Sequence, residues 1–341
     1  MIETLKTLCM LSGVSGMEDE VRDYILERAM PFADEVHTDA MGNLMVFKKG
    51  AVHLEQRIML CAHMDEVGLI VTRVEDEGYI RFQFIGGVDR RVVLGKRVFI
   101  GQDRIPGVIG VKAVHLVGKE EQKNVPKVDD LYVEIGAKSK EEAQKLVQLG
   151  DRGVFDESVV VFGDGYIKAK AIDDRSGCAV MLKLLEEELP CDTWFAFTVQ
   201  EEVGTRGAHG AAFRLKPDIA LVLEGTTAAD LPYVEEGKQI CRLGKGPVIT
   251  FMDRGTIYDR ELRAMLIRLA EENGIVWQTK EQIAGGTDGS AIQRSREGVR
   301  TAIIATAVRN IHSPVSVAHT GDAESVLRLA RLFLHEMGKR A

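Results

Sequence analysis

The sequence predicts an α/β fold: a mixed, largely parallel sheet sandwiched by helices, interrupted by a small, mostly β insertion. Three observations carry this expectation. Short apolar runs (Ile58 to Ala62, Trp194 to Val199, Ile219 to Leu223 and Thr301 to Ala305) each lead into a polar residue. Strands of a parallel sheet buried on both faces have that texture. Stretches with helical spacing alternate with these runs at both ends of the chain. Between about residues 67 and 165 the pattern changes to short β-rich pieces separated by glycine and charged turns. A chain of 341 residues accommodates one large domain and a smaller one.

Taken in order, Met17 to Met30 places Val21, Tyr24, Ile25 and Ala29 at helical spacing, with Ser15-Gly16 before it and Pro31 after it as stop signals. The insertion is expected to hold strands at Leu69 to Val74, Tyr79 to Phe84, Arg97 to Ile100, Val108 to Val111 and Leu131 to Ile135, with one helix from Ser139 to Leu149. After Ile167, helices fit at Arg175 to Glu188, Arg260 to Asn273 and Ala323 to Met337, with strands between them. The expected division is therefore one α/β domain, 1–66 plus 167–341, interrupted by a β-rich insertion at 67–166.

Bulk composition narrows the function classes. A formal charge of −8, from 44 basic and 52 acidic residues, argues against a nucleic-acid or anionic-membrane surface. No apolar run approaches the ~20 residues of a membrane span. Met1-Ile2-Glu3-Thr4-Leu5-Lys6 lacks the basic start and apolar core of a secretion signal. Five cysteines, an odd number without a C-x-x-C pair, speak against a disulfide framework and for a reducing cytoplasm.

Parallel sheets bind ligands at the carboxyl ends of their strands. His63, Asp65, Asp173, Glu201, Glu202, Glu224 and His312 gather on that edge, and unpaired charge of that density is prohibitive there. A pair of divalent cations neutralises it, so the chain reads as a two-metal hydrolase. Residues two apart in a strand face one side, so His63 serves as a ligand and Asp65 as the carboxylate that orients its imidazole. Asp174 suits a helix N-cap, leaving Asp173 to bridge two cations. Of the adjacent pair Glu201-Glu202, one side chain binds metal while its neighbour reaches the attacking water. Glu224 is a terminal ligand on the cation that His63 holds. His312 is preferred to His319, which reads as the start of the last helix, and His115 as a structural histidine. Gly285-Gly286-Thr287-Asp288-Gly289 lacks a phosphate-loop fingerprint and is expected to line the substrate pocket through Gly286, Thr287 and Asp288. No G-x-S-x-G elbow supports a serine nucleophile.

Motifs spread over essentially the whole chain resemble the M42 family of metallo-aminopeptidases, the tetrahedral aminopeptidase and "cellulase M"-like group. They are Ser12-Gly13-Val14-Ser15-Gly16, Ala62-His63-Met64-Asp65-Glu66-Val67-Gly68, Ile135-Gly136-Ala137-Lys138-Ser139-Lys140-Glu141-Glu142-Ala143, Ala171-Ile172-Asp173-Asp174-Arg175, Val199-Gln200-Glu201-Glu202-Val203-Gly204, Gly285-Gly286-Thr287-Asp288 and Ile311-His312-Ser313-Pro314. The resemblance implies one metal on His63, Asp173 and Glu224, a second on Asp173, Glu202 and His312, and Glu201 as general base. It implies two divalent ions per subunit, with zinc or cobalt suiting the imidazole and carboxylate set. It also implies a PDZ-like or barrel-like insertion used for dimerisation, dimers that assemble into tetrahedral dodecamers, and short peptides as substrates. Two departures stand out: Glu224 where many members carry Asp, and Lys112-Ala113-Val114-His115 in place of Lys-Pro-Pro-His.

The rival readings are weaker. An M20-like carboxypeptidase or deacylase carries its lid after the glutamate pair, whereas here about a hundred residues separate His63 from Asp173. A glycosidase needs carboxylates ~5–9.5 Å apart across a sugar, which adjacent Glu201 and Glu202 serve poorly. A metal-free scaffold does not explain why every ligand is present.

Overall fold

The computed structural model describes residues 1–119, 123–156 and 158–340. Helices α1 (Ile2–Met10) and α2 (Asp19–Ala29) precede strands β1 (Glu35–Thr38), β2 (Leu44–Lys48) and β3 (Ile58–His63). The insertion follows, with β4 (Gly68–Val74), β5 (Ile80–Ile85), β6 (Arg97–Ile100), β7 (Ile105–Val111), β8 (Leu131–Glu134), the single turn α3 (Lys140–Ala143) and β9 (Arg152–Phe155). The chain then continues through β10 (Val160–Phe162), β11 (Tyr166–Ala169), α4 (Ile172–Leu185), β12 (Thr193–Thr198), α5 (Arg206–Leu215) and β13 (Ile219–Thr227). It ends with α6 (Arg260–Glu272), α7 (Gly289–Gln293), β14 (Arg300–Arg309), β15 (Ser316–His319) and α8 (Thr320–Gly338).

Two sheets result. The large one has nine strands in the order β1-β2-β12-β3-β13-β14-β15-β11-β10, and the small one closes as a six-stranded barrel, β4-β5-β8-β7-β6-β9. The central strands β12, β3, β13 and β14 run parallel, and the flanking pairs are antiparallel. Alternation along β3 explains the layering: Ile58, Leu60 and Ala62 join the core under α1, α2, α4, α6 and α8, while Met59 and Cys61 face the core under α5 and α7. Helix α8 illustrates the helical faces. Val326, Leu329, Ala330, Phe333, Leu334 and Met337 form its buried stripe, and His319 caps its first turn by accepting the Gly321 amide.

The expected fold class holds, and the structure refines the details. Strand β9 completes the barrel, although it was not among the expected strands. The helix expected from Ser139 to Leu149 is a single turn capped by Ser139. Beyond Ala143 the amides of Lys145 and Leu146 bond three residues back, tightening the coil. The chain also returns to the large sheet before residue 166, the expected limit of the insertion: Val160–Phe162 pairs with Tyr166–Ala169, and that strand pairs with β15.

Candidate metal centre

Each candidate ligand comes from the carboxyl-terminal edge of the parallel strands. His63 is the last residue of β3 and stands in register with Thr198, the last residue of β12. The turn after Thr198 carries Glu201 and Glu202 over the end of β3. Glu224 lies on β13, opposite Ala305 of β14. Beyond β14, Asn310 and His312 take left-handed backbone angles, with φ of 53° and 55°, and this turns the chain back over the edge. Asp173 enters from the start of α4. A side chain at Gly225 would begin only 2.7 Å from Asp173, so glycine there lets the carboxylate sit against β13.

The side chains converge in two groups that share Asp173. His63 Nε2 is 3.1 Å from Glu224 Oε1 and 3.3 Å from Asp173 Oδ1. His312 Nε2 is 3.2 Å from Glu202 Oε2 and 3.7 Å from Asp173 Oδ2. Within each triad, His63-Asp173-Glu224 and Asp173-Glu202-His312, the potential ligand atoms lie within 4.8 Å of one another. Asp173 Oδ1 is buried and has no hydrogen-bond partner. A bare acceptor at the meeting point of imidazoles and carboxylates is what a divalent cation satisfies, so the residues present fit a metal site.

Electrostatics point the same way. Burial pushes the Glu224 carboxyl well above its ordinary range, and the adjacent His63 only partly offsets this. Burial likewise raises Glu202 to about 7, against the charge of His312. Burial opposes protonation of His63, but the Glu224 charge and the facing carboxylates of Asp173 and Asp65 outweigh it and hold the imidazolium well above its usual range. The same contest, won by Asp173 and Glu202, lifts His312 to about 9. Asp173 moves the other way: burial would raise it, but the facing imidazoles of His312 and His63 bring it below the ordinary value. Glu201 is raised well above its range, first by burial and then by the charges of Asp288, Glu202 and Asp173, with His63 opposing. Without cations, Glu224 and both imidazoles are driven toward their protonated forms.

The surrounding shell differs from expectation in one respect. The His63 ring donates from Nδ1 to the Asp65 carbonyl at 3.1 Å, while the Asp65 carboxylate lies farther from it, at 3.5 Å. That carboxylate instead accepts the amides of Glu201 (2.9 Å) and Glu202 (3.1 Å) and the hydroxyl of Ser15 (2.6 Å). Asp173 and Asp174 have non-helical backbone angles at the start of α4, and Asp174 Oδ1 accepts the Gly177 amide, so it caps the regular helix that follows. His115 sits exposed in the short turn Val114–Leu116 and belongs to neither triad. In the glycine-rich loop, Gly286 faces open space. Thr287 instead bonds Tyr258 and Asp253, and Asp288 accepts from Thr198 beneath the surface.

Sequence reasoning missed a buried ionic knot beside the centre. Glu66 accepts from Lys170 at 2.5 Å, from Arg175 at 3.3 Å and from the Gly13 amide at 3.1 Å. The knot ties the α1–α2 loop to the segment that delivers Asp173. Paired charges this deep leave no periodic trace in a sequence; the one available signal was the side-by-side placement of Asp65 and Glu66.

Known proteins are similar to this chain in sequence and fold. The sequence profile of the M42 glutamyl aminopeptidase family matches residues 42–329. A lysyl aminopeptidase of Pyrococcus furiosus is 32% identical over 98% of this chain and 97% of its own length. Among solved structures, the aminopeptidase APDkam598 of the archaeon Desulfurococcus kamchatkensis superposes with a TM-score of 0.93 at 38% identity, covering 98% of this chain and 94% of that one. The TET1 peptidase of Pyrococcus horikoshii, which can assemble into a tetrahedron or a large octahedral shell, gives a TM-score of 0.87 at 36% identity over 98% and 99% of the two chains. Among the described residues, no helix is long and apolar enough to cross a membrane.

Proposed function

The chain belongs to the M42 glutamyl aminopeptidase family and is a metal-dependent peptide hydrolase of the aminopeptidase class; from that premise we propose how its residues divide the work. His63, Asp173 and Glu224 hold one divalent cation, and Asp173, Glu202 and His312 hold a second, with zinc or cobalt suiting the nitrogen and oxygen donors. The observation that carries this is the shared Asp173, whose two oxygens face the two imidazoles and whose Oδ1 is otherwise unsatisfied. When bound, the cations acidify a water and polarise the scissile carbonyl. Glu201 takes a proton from the attacking water and returns it to the leaving amine. Its burial among like charges favours a carboxylate that accepts a proton readily. Asp65 fixes the Glu201 and Glu202 amides and steadies the His63 ring through the segment they share.

On the substrate side, Gly286 borders the open space, and Thr287 and Asp288 brace the wall behind it. A Cβ on Gly285 would meet only the Lys280 ammonium, 4.0 Å away. That ammonium is buried, donates to the Ala284 carbonyl, and lies within the influence of Asp253, Glu224 and Asp173. Among the described residues it has no carboxylate within ion-pair distance. A positive group bordering an open pocket favours an acidic N-terminal residue over a basic one.

The barrel mediates dimerisation, and the dimers build a closed tetrahedral dodecamer. Support comes from the TET1 likeness and from apolar side chains exposed on the insertion, among them Leu94, Val108, Val114 and Leu116. All five cysteines are free and buried, which suits a cytoplasmic location. Short peptides are the substrates, trimmed one residue at a time from the amino end. The test is mass spectrometry of matched free and N-acetylated peptides incubated with metal-loaded enzyme. Only the free peptide is expected to shorten. Equal cleavage of both, or release from the carboxyl end, would promote the deacylase or carboxypeptidase alternative.

A further inference from the structure

We propose that Glu18 is a positioning residue for Glu201, clamping the turn that presents the base; this rests on the reading of Glu201 given above. Beyond Thr198 the chain leaves the sheet, and the next four amides have no strand to bond. Side chains from three separate segments take them. Val199 N donates to Asn43 Oδ1 at 3.0 Å and Gln200 N to Glu18 Oε1 at 3.1 Å. Glu201 N and Glu202 N donate to the two oxygens of Asp65. Gln200 has a φ of 57°, in the left-handed region that a non-glycine residue avoids unless its surroundings hold it. Glu18 is the group that holds it.

Glu18 is rigidly based. The same Oε1 accepts the Gly16 amide at 2.8 Å, within a loop whose Ser15 hydroxyl donates to Asp65. Amides of Ser15 and Glu66 bond Glu66 and Gly13 carbonyls, fastening that loop to the end of β3. Glu18 is only 5% exposed and, among the described residues, has no cation within ion-pair distance. Burial raises its carboxyl to about 7, so the clamp works as a hydrogen-bond acceptor and does not depend on full charge. Asp65 also serves the turn, but it touches His63 as well. Glu18 bonds only the turn and its own loop, which makes it the separable handle on the position of Glu201.

Misplacing a catalytic group by ~1 Å costs ~10² in rate. With both metals loaded, Glu18→Ala is expected to lower kcat about ten- to hundredfold, with KM within about twofold and metal content unchanged by elemental analysis. Glu18→Gln, which keeps the acceptor, is expected to stay within about twofold of wild type in kcat, and Glu18→Asp, one methylene short, to fall between them. A near-normal kcat in Glu18→Ala overturns the proposal. So does a loss of metal or a rise in KM that accounts for the whole defect, or a Glu18→Gln as impaired as Glu18→Ala. Should the alanine variant not fold, the Asp and Gln variants decide: equal rates overturn the clamp. Glu201→Gln assayed alongside separates the two claims. If it is inactive while Glu18→Ala is normal, only the clamp fails; if it is active, the assignment of the base fails and the clamp with it.

Discussion

His63 and His312 have the same proposed task in opposite surroundings. The His63 side chain is 1% exposed, at the end of a central strand flanked by β12 and β13, whereas the His312 side chain is 39% exposed on the loop beyond β14. The His312 carbonyl accepts the Asp89 amide from the barrel, and a Cβ on Gly87 would come within 3.6 Å of its ring. Gly86, on the same barrel loop, packs beside Glu202. One half of the centre is thus built inside the sheet and the other at the seam between sheet and barrel. The first half is preorganised by strand pairing. The second depends on how the insertion is seated, so the proposed assembly through the barrel has a physical route to the affinity of one cation.

The most severe test of this contrast removes what the halves share. Asp173→Ala should lose both cations on dialysis and with them essentially all activity, as read by elemental analysis and a p-nitroanilide assay. Retention of one cation would show that Asp173 does not bridge. Next in size, Glu201→Gln should lower kcat by roughly 10²–10⁴ at unchanged metal content. A near-normal kcat would reassign the base.

The halves themselves are separated by single ligands. His312→Ala should give up one cation and keep the other, and in the wild type the His312-side cation should leave first as chelator is titrated. The measurement is activity and metal count against chelator concentration. Simultaneous loss of both cations, or first loss from the His63 side, would remove the distinction between a sheet-held and a seam-held site. Smaller still, Lys280→Glu should invert the preference between glutamyl- and lysyl-p-nitroanilide without changing metal content. An unaltered preference would place the acidic-residue pocket elsewhere.

The two halves were not equally legible in the sequence. The strand-held ligands could be read because an apolar strand that ends in His63 or carries Glu224 breaks its own pattern at the residue that matters. Asp173 and Glu202 stood out as members of acidic pairs at element boundaries. His312 needed a choice against His319, and the structure places His319 at the N-cap of α8. The supports were not legible. Ser15-Gly16 reads as punctuation before a helix, and neither Glu18 nor Lys170 stands out among the other charged residues. Their importance comes from contacts that span long stretches of chain, such as Glu18 with Gln200 or Lys170 with Glu66, and no local spacing encodes those. The membership of β10 in the large sheet was hidden for the same reason, since it depends on β11 pairing with β15 near the other end of the chain.

The smallest effect probes the protons that stand in for cations at the seam. In the metal-free protein Glu202 titrates near 7 instead of its ordinary 4.5, and His312 near 9 instead of 6.5. Both folded-state values lie above the unfolded ones, so the folded chain binds more protons, and stability falls as pH rises. The Glu202 contribution is present below about 4.5 and lost by about 7, and the His312 contribution is present below about 6.5 and lost by about 9. Cations need these groups deprotonated, so metal affinity and the stabilisation it brings rise over the same range. The gap in Tm between loaded and chelated protein should therefore widen from pH 6 to pH 9, by ~2 °C or more for each kcal/mol of added stabilisation. His312 is partly solvated, which makes its share the weaker one. In His312→Ala, which gives up the seam cation, the widening should largely disappear, because His312 no longer titrates and no cation competes with protons at Glu202. A gap that stays constant, or narrows, as pH rises would mean that protons and cations do not compete at the seam, and the exposed half-site would have to draw its affinity from elsewhere.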